Sequence, residues 1–165
     1  METNRSECIW QGVVAGLIGY AAVALLVGTM DALQGRSFFF TASLLGEWLF
    51  YGLTDPSRVV VWPGAVFAYN GVHLLTFLGF GVLAGWMAAV SERGPLFWYA
   101  GIVLFLLVFL HIFGAVLLMT EGLRDVLPAY EVWIPAVVSV IAMAAYLLFM
   151  HPRLRHEMRV RTETS

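Results

Sequence analysis

Residues 9–33 read IWQGVVAGLIGYAAVALLVGTMDAL, an apolar run in which Asp31 is the one charged residue. An α-helix needs about 20 such residues to cross a hydrocarbon core about 30 Å thick. The run is too long for a signal peptide and lacks a clear small-x-small cleavage site, so we expect a retained helix. Three further runs have the same character, at 66–90, 96–119 and 132–150. The sequence therefore predicts an all-α integral membrane protein whose single domain, 1–165, forms a four-helix bundle.

The composition of the whole chain supports a membrane location. Hydrophobic residues make up 61% of the chain, charged residues 12%, and the mean hydropathy is +0.84. A soluble domain is usually near half apolar and a quarter charged. The net charge of −2 gives no indication of a nucleic-acid partner, and the single cysteine, Cys8, excludes an intrachain disulfide.

The arginine residues predict the orientation. With four spans both termini lie on one side, and cytoplasmic segments carry an excess of basic residues. That side holds six arginines and the other side three: Arg5, Arg93, Arg153, Arg155, Arg159 and Arg161 against Arg36, Arg58 and Arg124. We therefore expect a multi-pass protein of the inner, cytoplasmic membrane, with both termini and the basic tail 151–165 in the cytoplasm.

The first outer loop, residues 37–55, reads SFFFTASLLGEWLFYGLTD and is rich in aromatic residues. It is too short to cross the membrane and return. On a helix Leu45, Trp48 and Leu49 share one face, with Glu47 off it. The pattern predicts an interfacial helix at about 38–53 that lies on the outer leaflet. A re-entrant segment or a lid packed over the end of the bundle is the alternative.

Two histidines lie inside the predicted spans. His73 is 11 residues from Trp62, about 16 Å at 1.5 Å per residue, and His111 is nine residues before Thr120, about 13 Å. The two imidazoles are therefore expected at a similar depth. Ionisable groups inside a membrane are functional candidates by default. Tyr69, Asn70 and Ser139 are the polar neighbours expected to support them.

Three interpretations of this histidine pair remain open. Two histidines can supply both axial ligands of haem b, so His73 and His111 are the candidate cofactor-binding residues. A quinone site near His73 is a related possibility. The third is a polar cluster that only holds the helices together. Zinc needs three or four protein or water ligands, and no further Cys, Asp, Glu or His lies at this depth, so no metal site is predicted.

Small residues recur at the spacing used by close-packed membrane helices. Gly12 and Gly16 form a GxxxG pair in span one, and Gly81 and Gly85 form another in span two. Such pairs let two backbones approach closely, either within this bundle or between chains. Asp31 is expected to be solvated or paired with Arg36. Pro135 falls in the first turn of span four, where proline is tolerated.

The sequence carries no P-loop, dinucleotide fingerprint, HExxH or nucleophile motif. It favours a structural or accessory subunit of a larger membrane assembly, with an intramembrane polar cluster at His73 and His111. One alternative is a small redox protein that binds haem b or quinone through these histidines. The second is a carrier for a small solute or ion. The expected partners are the lipid bilayer and other membrane subunits or a second copy, with no nucleic acid.

Overall fold

The computed structural model of the protein describes residues 5–91, residues 121–151 and seven positions between them (108, 110, 111, 113, 114, 117 and 119). This part of the chain is 85% helical and holds no strand. The helices are α1 Arg5–Leu33, α2 Phe40–Phe50, α3 Pro63–Ser91, α4 Glu121–Val126 and α5 Ala129–Met150, with a 3-10 turn at Pro56–Arg58. The prediction of an all-helical chain is confirmed for these residues.

Three helices are long and apolar enough to cross a membrane: Ser6–Leu33, Pro63–Val90 and Ala129–Met150. The third predicted span, 96–119, falls mostly outside the described residues. Six of its positions are described as helical: Val108, Leu110, His111, Phe113, Gly114 and Leu117. The three long helices support a multi-pass membrane protein, while the fourth span and the orientation of the termini remain predictions.

The outward surface of the long helices is apolar. Exposed side chains along them include Leu17, Leu25, Phe67, Leu75 and Ile141. Exposed tryptophans lie near the helix ends, with Trp10 and Trp86 at one end of the helices and Trp62 at the other. Indole rings favour the membrane–water interface, so this distribution is the one expected of a protein surrounded by lipid.

Helix α1 lies between α3 and α5, which barely touch each other. Towards α3 it presents Gly12 and Gly16, and a Cβ built on Gly16 would lie 2.5 Å from the Phe77 carbonyl oxygen. Gly81 and Gly85 face back onto the same two glycines. Towards α5, Gly19 lies against Met143, and Ala15 packs with Leu147. The two GxxxG pairs therefore meet each other within one chain, and α1 is the central helix of the described part.

The helix expected in the first loop is α2, which packs against protein along one side. Leu44 is completely buried, and a Cβ on Gly46 would overlap the Ala65 carbonyl group at the beginning of α3. Leu44 belongs to a buried cluster with Met119, Leu123 and Leu127, to which Leu45 and Trp48 add partly buried contacts. Leu49 of the predicted apolar face is half exposed. Helix α2 thus covers the end of the bundle where α1 ends and α3 and α5 begin.

A buried charge cluster joins the elements at this covered end. Arg36 Nη2 lies 2.8 Å from Asp31 Oδ1 at the end of α1 and 2.6 Å from Glu131 Oε2 at the beginning of α5. Asp31 also accepts hydrogen bonds from the Thr41 backbone N–H and hydroxyl, both at 2.9 Å, which connects it to α2. Gln34 Nε2 donates to Glu131 Oε1 at 2.8 Å. Both carboxylates are buried, so this network fixes α2 and α5 to the end of α1.

The observed helices begin earlier than the apolar runs in the sequence. Helix α3 begins at Pro63 rather than 66, and α5 begins at Ala129 rather than 132. Pro135 therefore lies a turn further into its helix than predicted. Asp31 is paired with Arg36, one of the two arrangements expected for it. At 29 residues, α1 and α3 are each about 42 Å long, so they extend past a hydrocarbon core of about 30 Å.

Substitution of Gly16 by Leu should separate α1 from α3, because its side chain would occupy the position of the Phe77 carbonyl and Leu78 Cα. We expect the free energy of unfolding to fall by about 1–3 kcal/mol. The measurement is a denaturant titration in detergent micelles. Gly79→Leu is the matched control, since a Cβ at Gly79 meets no atom within 4 Å. Equal stability of the two variants would contradict the glycine contact.

Substitution of Arg36 by Met should leave the buried Asp31 and Glu131 carboxylates without their guanidinium partner. Removing one member of a buried ion pair costs about 3–5 kcal/mol, to be measured in the same unfolding titration. The control is Arg58→Met, because Arg58 is exposed and pairs across a short turn with Asp55. We expect no measurable change there. An Arg36→Met variant as stable as the control would show that the cluster does not hold this end together.

Candidate functional site

A hydrogen bond between two helices lies at the middle of α1. The Tyr20 hydroxyl donates to Asn70 Oδ1 of α3 at 2.8 Å, and Asn70 Nδ2 donates to the Val66 carbonyl at 2.8 Å. Both groups are partly buried. Tyr20 therefore supplies the interhelical partner of Asn70, a role that the sequence interpretation gave to the histidines. The sequence does contain a signal for this bond. The Tyr20 hydroxyl is a polar group that lies more than ten residues from both ends of the apolar run 9–33.

His73 lies one turn further along α3 and is surrounded by aromatic rings. The Tyr69 ring stacks on the imidazole, with centroids 5.0 Å apart and planes 21° from parallel. Phe77 approaches edge-on at 5.1 Å, and the Tyr20 ring lies 6.4 Å away. His73 Nε2 is buried and has no hydrogen-bond partner among the described residues. A buried polar atom without a partner costs about 1–3 kcal/mol, whereas the neighbouring Tyr20 hydroxyl and Asn70 amide are hydrogen-bonded.

His111 is exposed and meets the edge of the Phe80 ring at 5.3 Å. Phe80 lies two turns beyond His73 on α3, so His111 lies beside the same part of the helix that carries His73. The structure thus places His73 and His111 in one region, with aromatic rings beside each imidazole. The arrangement that bis-histidine haem would require, two imidazoles facing a shared space, remains a prediction.

The remaining predicted residues divide between this region and other parts of the fold. Tyr69 and Asn70 contact His73 and Tyr20, as given above. Ser139 is buried, but its hydroxyl donates to the Ala136 carbonyl of its own helix at 2.7 Å. Gly12, Gly16, Gly81 and Gly85 form the α1–α3 contact rather than the histidine region. The site is therefore built from α1, α3 and the described residues around His111, without a contribution from Ser139.

The sequence interpretation expected Asp31 to be solvated or paired with Arg36, but it did not foresee that Glu131 completes a charge cluster with them. Glu131 lies 95 residues after Arg36 in the sequence. Arg36 and Asp31 are five residues apart, and this spacing was the available signal. Among the residues that the structure describes, no group of three or more His, Cys, Asp or Glu could hold a metal ion.

Comparisons with protein families, with curated proteins and with solved structures found no match to this chain.

Replacement of Tyr20 by Phe removes the hydroxyl that bonds to Asn70 and keeps the ring. We expect a double-mutant cycle of Tyr20→Phe and Asn70→Leu to give a coupling energy of about 0.6 kcal/mol, and at most about 1.7 kcal/mol, in micelle unfolding experiments. Thr76→Val with Asn70→Leu is the control pair, since Thr76 bonds to the Val72 carbonyl of its own helix. A coupling energy of zero for the first pair would contradict the interhelical bond.

Proposed function

We propose that this protein is a structural or accessory subunit of a larger membrane assembly, which it contacts through the face that carries His111. The observation that supports this proposal is the exposure of the His111 side chain, which the predicted span 96–119 would place at membrane depth. Histidines within membrane segments almost always face protein or a water-filled cavity, because the imidazole needs polar partners that lipid tails lack. In this chain the His111 ring has an aromatic neighbour, Phe80, and an open side.

The surroundings of His111 support contact with another helix. Leu110 and Leu117, seven residues apart, are each 60% exposed, and a Cβ on Gly114 would meet no atom within 4 Å. Apolar residues at i and i+7 with a small residue between them allow close approach of a partner helix. A hydrogen-bonding group on the partner would then satisfy the imidazole.

The polar groups of the long helices support an accessory role. The Tyr20 hydroxyl, the Asn70 amide and the Ser139 hydroxyl are each bonded within the protein, and Asp31 and Glu131 are paired with Arg36. The Tyr20–Asn70 bond and the pairs made by Arg36 hold separate helices together, whereas the Ser139 bond lies within one helix. A subunit that acts through its partner requires this kind of internal stability. The arginine distribution favours the cytoplasmic membrane with both termini inside, as part of the same proposal.

The test is a photo-crosslinker placed at position 111 in native membranes. We expect the benzophenone amino acid to give a covalent adduct with one polypeptide of defined mass. A mass of twice 18.3 kDa would identify a second copy, and another mass a different subunit. Leu25 is the control position, because it is 63% exposed on the surface of α1. The crosslinker there should react with lipid alone.

The same proposal predicts that His111→Leu weakens the contact with the partner without lowering the stability of the isolated chain. The unfolding free energy of the isolated chain should not fall, since this imidazole has no hydrogen bond within the described residues. The adducts formed from a second crosslinker at position 117 should decrease. Lipid adducts alone from position 111 would overturn the proposal.

A further inference from the structure

We propose that the edge of His73 carrying Nε2 is a binding site for a neutral, planar, membrane-soluble ring that bears a carbonyl oxygen, the chemistry of a quinone headgroup. Tyr20 and Tyr69 with Asn70, His73 and Phe77 form this site between α1 and α3. The inference goes beyond the proposed subunit function and does not depend on the partner at His111.

The first step concerns the unsatisfied nitrogen. Nε2 of His73 is buried and without a partner, although hydrogen-bonding side chains surround it. The Tyr20 and Asn70 side chains bond elsewhere. Asn70 Oδ1 accepts from Tyr20, and Asn70 Nδ2 donates to the Val66 carbonyl. Tyr69 presents its ring face to the imidazole. Nε2 of His73 is therefore a buried hydrogen-bonding position that a molecule from outside the chain can fill.

The second step concerns the shape of the surroundings. The imidazole has the Tyr69 ring on one face and Phe77 edge-on beside it, with Tyr20 further away. Flat apolar walls favour a planar ring through stacking and edge-to-face contacts. A bound water would need two to four polar partners, and the oxygen and the nitrogen of the Asn70 side chain each already make one bond within the protein. An aromatic or quinonoid ring fits these walls better than a hydrated group.

The third step concerns charge and location. No carboxylate or guanidinium group among the described residues bonds to Tyr20, Tyr69, Asn70 or His73. The site lies about 15 Å along α3 from Pro63, at a depth where a ligand arrives by way of the bilayer. A neutral imidazole can donate from Nε2 to a carbonyl oxygen. The ligand is therefore neutral and lipid-soluble, and it accepts a hydrogen bond. Because Nε2 is buried, the ligand can reach it only when a neighbouring side chain moves aside.

The test uses the full-length purified chain in lipid nanodiscs and decylubiquinone as the probe. We expect saturable binding, followed by the rise in thermal unfolding temperature with probe concentration. Decylbenzene, which has a ring and tail but no carbonyl oxygen, should give no comparable rise. Equal effects of the two compounds would overturn the proposal, because they would reflect partitioning into the lipid.

Two variants separate the site from the rest of the surface. His73→Phe keeps a planar ring and loses the nitrogen. We expect the apparent Kd to rise about tenfold, because one hydrogen bond is lost. Thr76→Val is the matched control on the same helix and should bind as the wild type does. A Kd unchanged in His73→Phe would overturn the proposal.

A spectroscopic readout on the wild-type chain covers the case in which His73→Phe does not fold. With 15N-labelled histidine, decylubiquinone should shift the Nε2 resonance of His73, because a new hydrogen bond forms there. An unchanged His73 resonance at saturating decylubiquinone would exclude the site. This experiment needs no partner protein, so its failure leaves the subunit proposal intact.

Discussion

A hydrocarbon environment requires each polar group on a spanning helix to find its partner within the protein. The described helices meet this requirement in several ways. Thr76 and Ser139 bond to carbonyls of their own helices, and Tyr20 bonds to Asn70 across the α1–α3 contact. At the covered end, Arg36 pairs with both buried carboxylates. Among the described residues, Gln11 Oε1, Arg36 Nε and His73 Nε2 are buried without a hydrogen-bond partner, and the His111 ring is exposed. The two proposals begin from the two histidines.

The same environment explains why glycine contacts and a buried charge cluster both hold the helices together. Lipid tails are as apolar as the helix surfaces, so burial of Leu or Val against another helix gains little, and close backbone packing becomes important. Gly12 and Gly16 of α1 meet Gly81 and Gly85 of α3 at such a contact. The covered end has a different solution. There, Asp31, Arg36 and Glu131 join α1, α2 and α5 through a network in which both carboxylates accept hydrogen bonds.

The helical class of the chain could be predicted because the thickness of a bilayer sets a length that few other structures require. Helix ends were less predictable. Hydropathy marks only the part of a helix that lies in hydrocarbon, whereas α3 and α5 begin before that part, at Pro63 and Ala129. The Tyr20–Asn70 bond and the Glu131–Arg36 pair depend on how each helix is rotated and on where distant loops meet, and a single sequence carries no record of either. His73 and His111 could be selected as candidate residues from the sequence because an ionisable ring in an apolar run is visible without a fold.

The most direct measurement is the membrane depth of spin labels along the exposed side of α3, at Phe67, Leu75 and Trp86, in a Cys8→Ser background. The accessibility of each label to oxygen and to an aqueous nickel chelate reports its depth. We expect Leu75, next to His73 and near the middle of α3, to be the deepest, with rising nickel accessibility towards both ends. Nickel accessibility at Leu75 equal to that at Trp86 would place α3 outside the hydrocarbon and contradict the membrane setting on which both proposals depend.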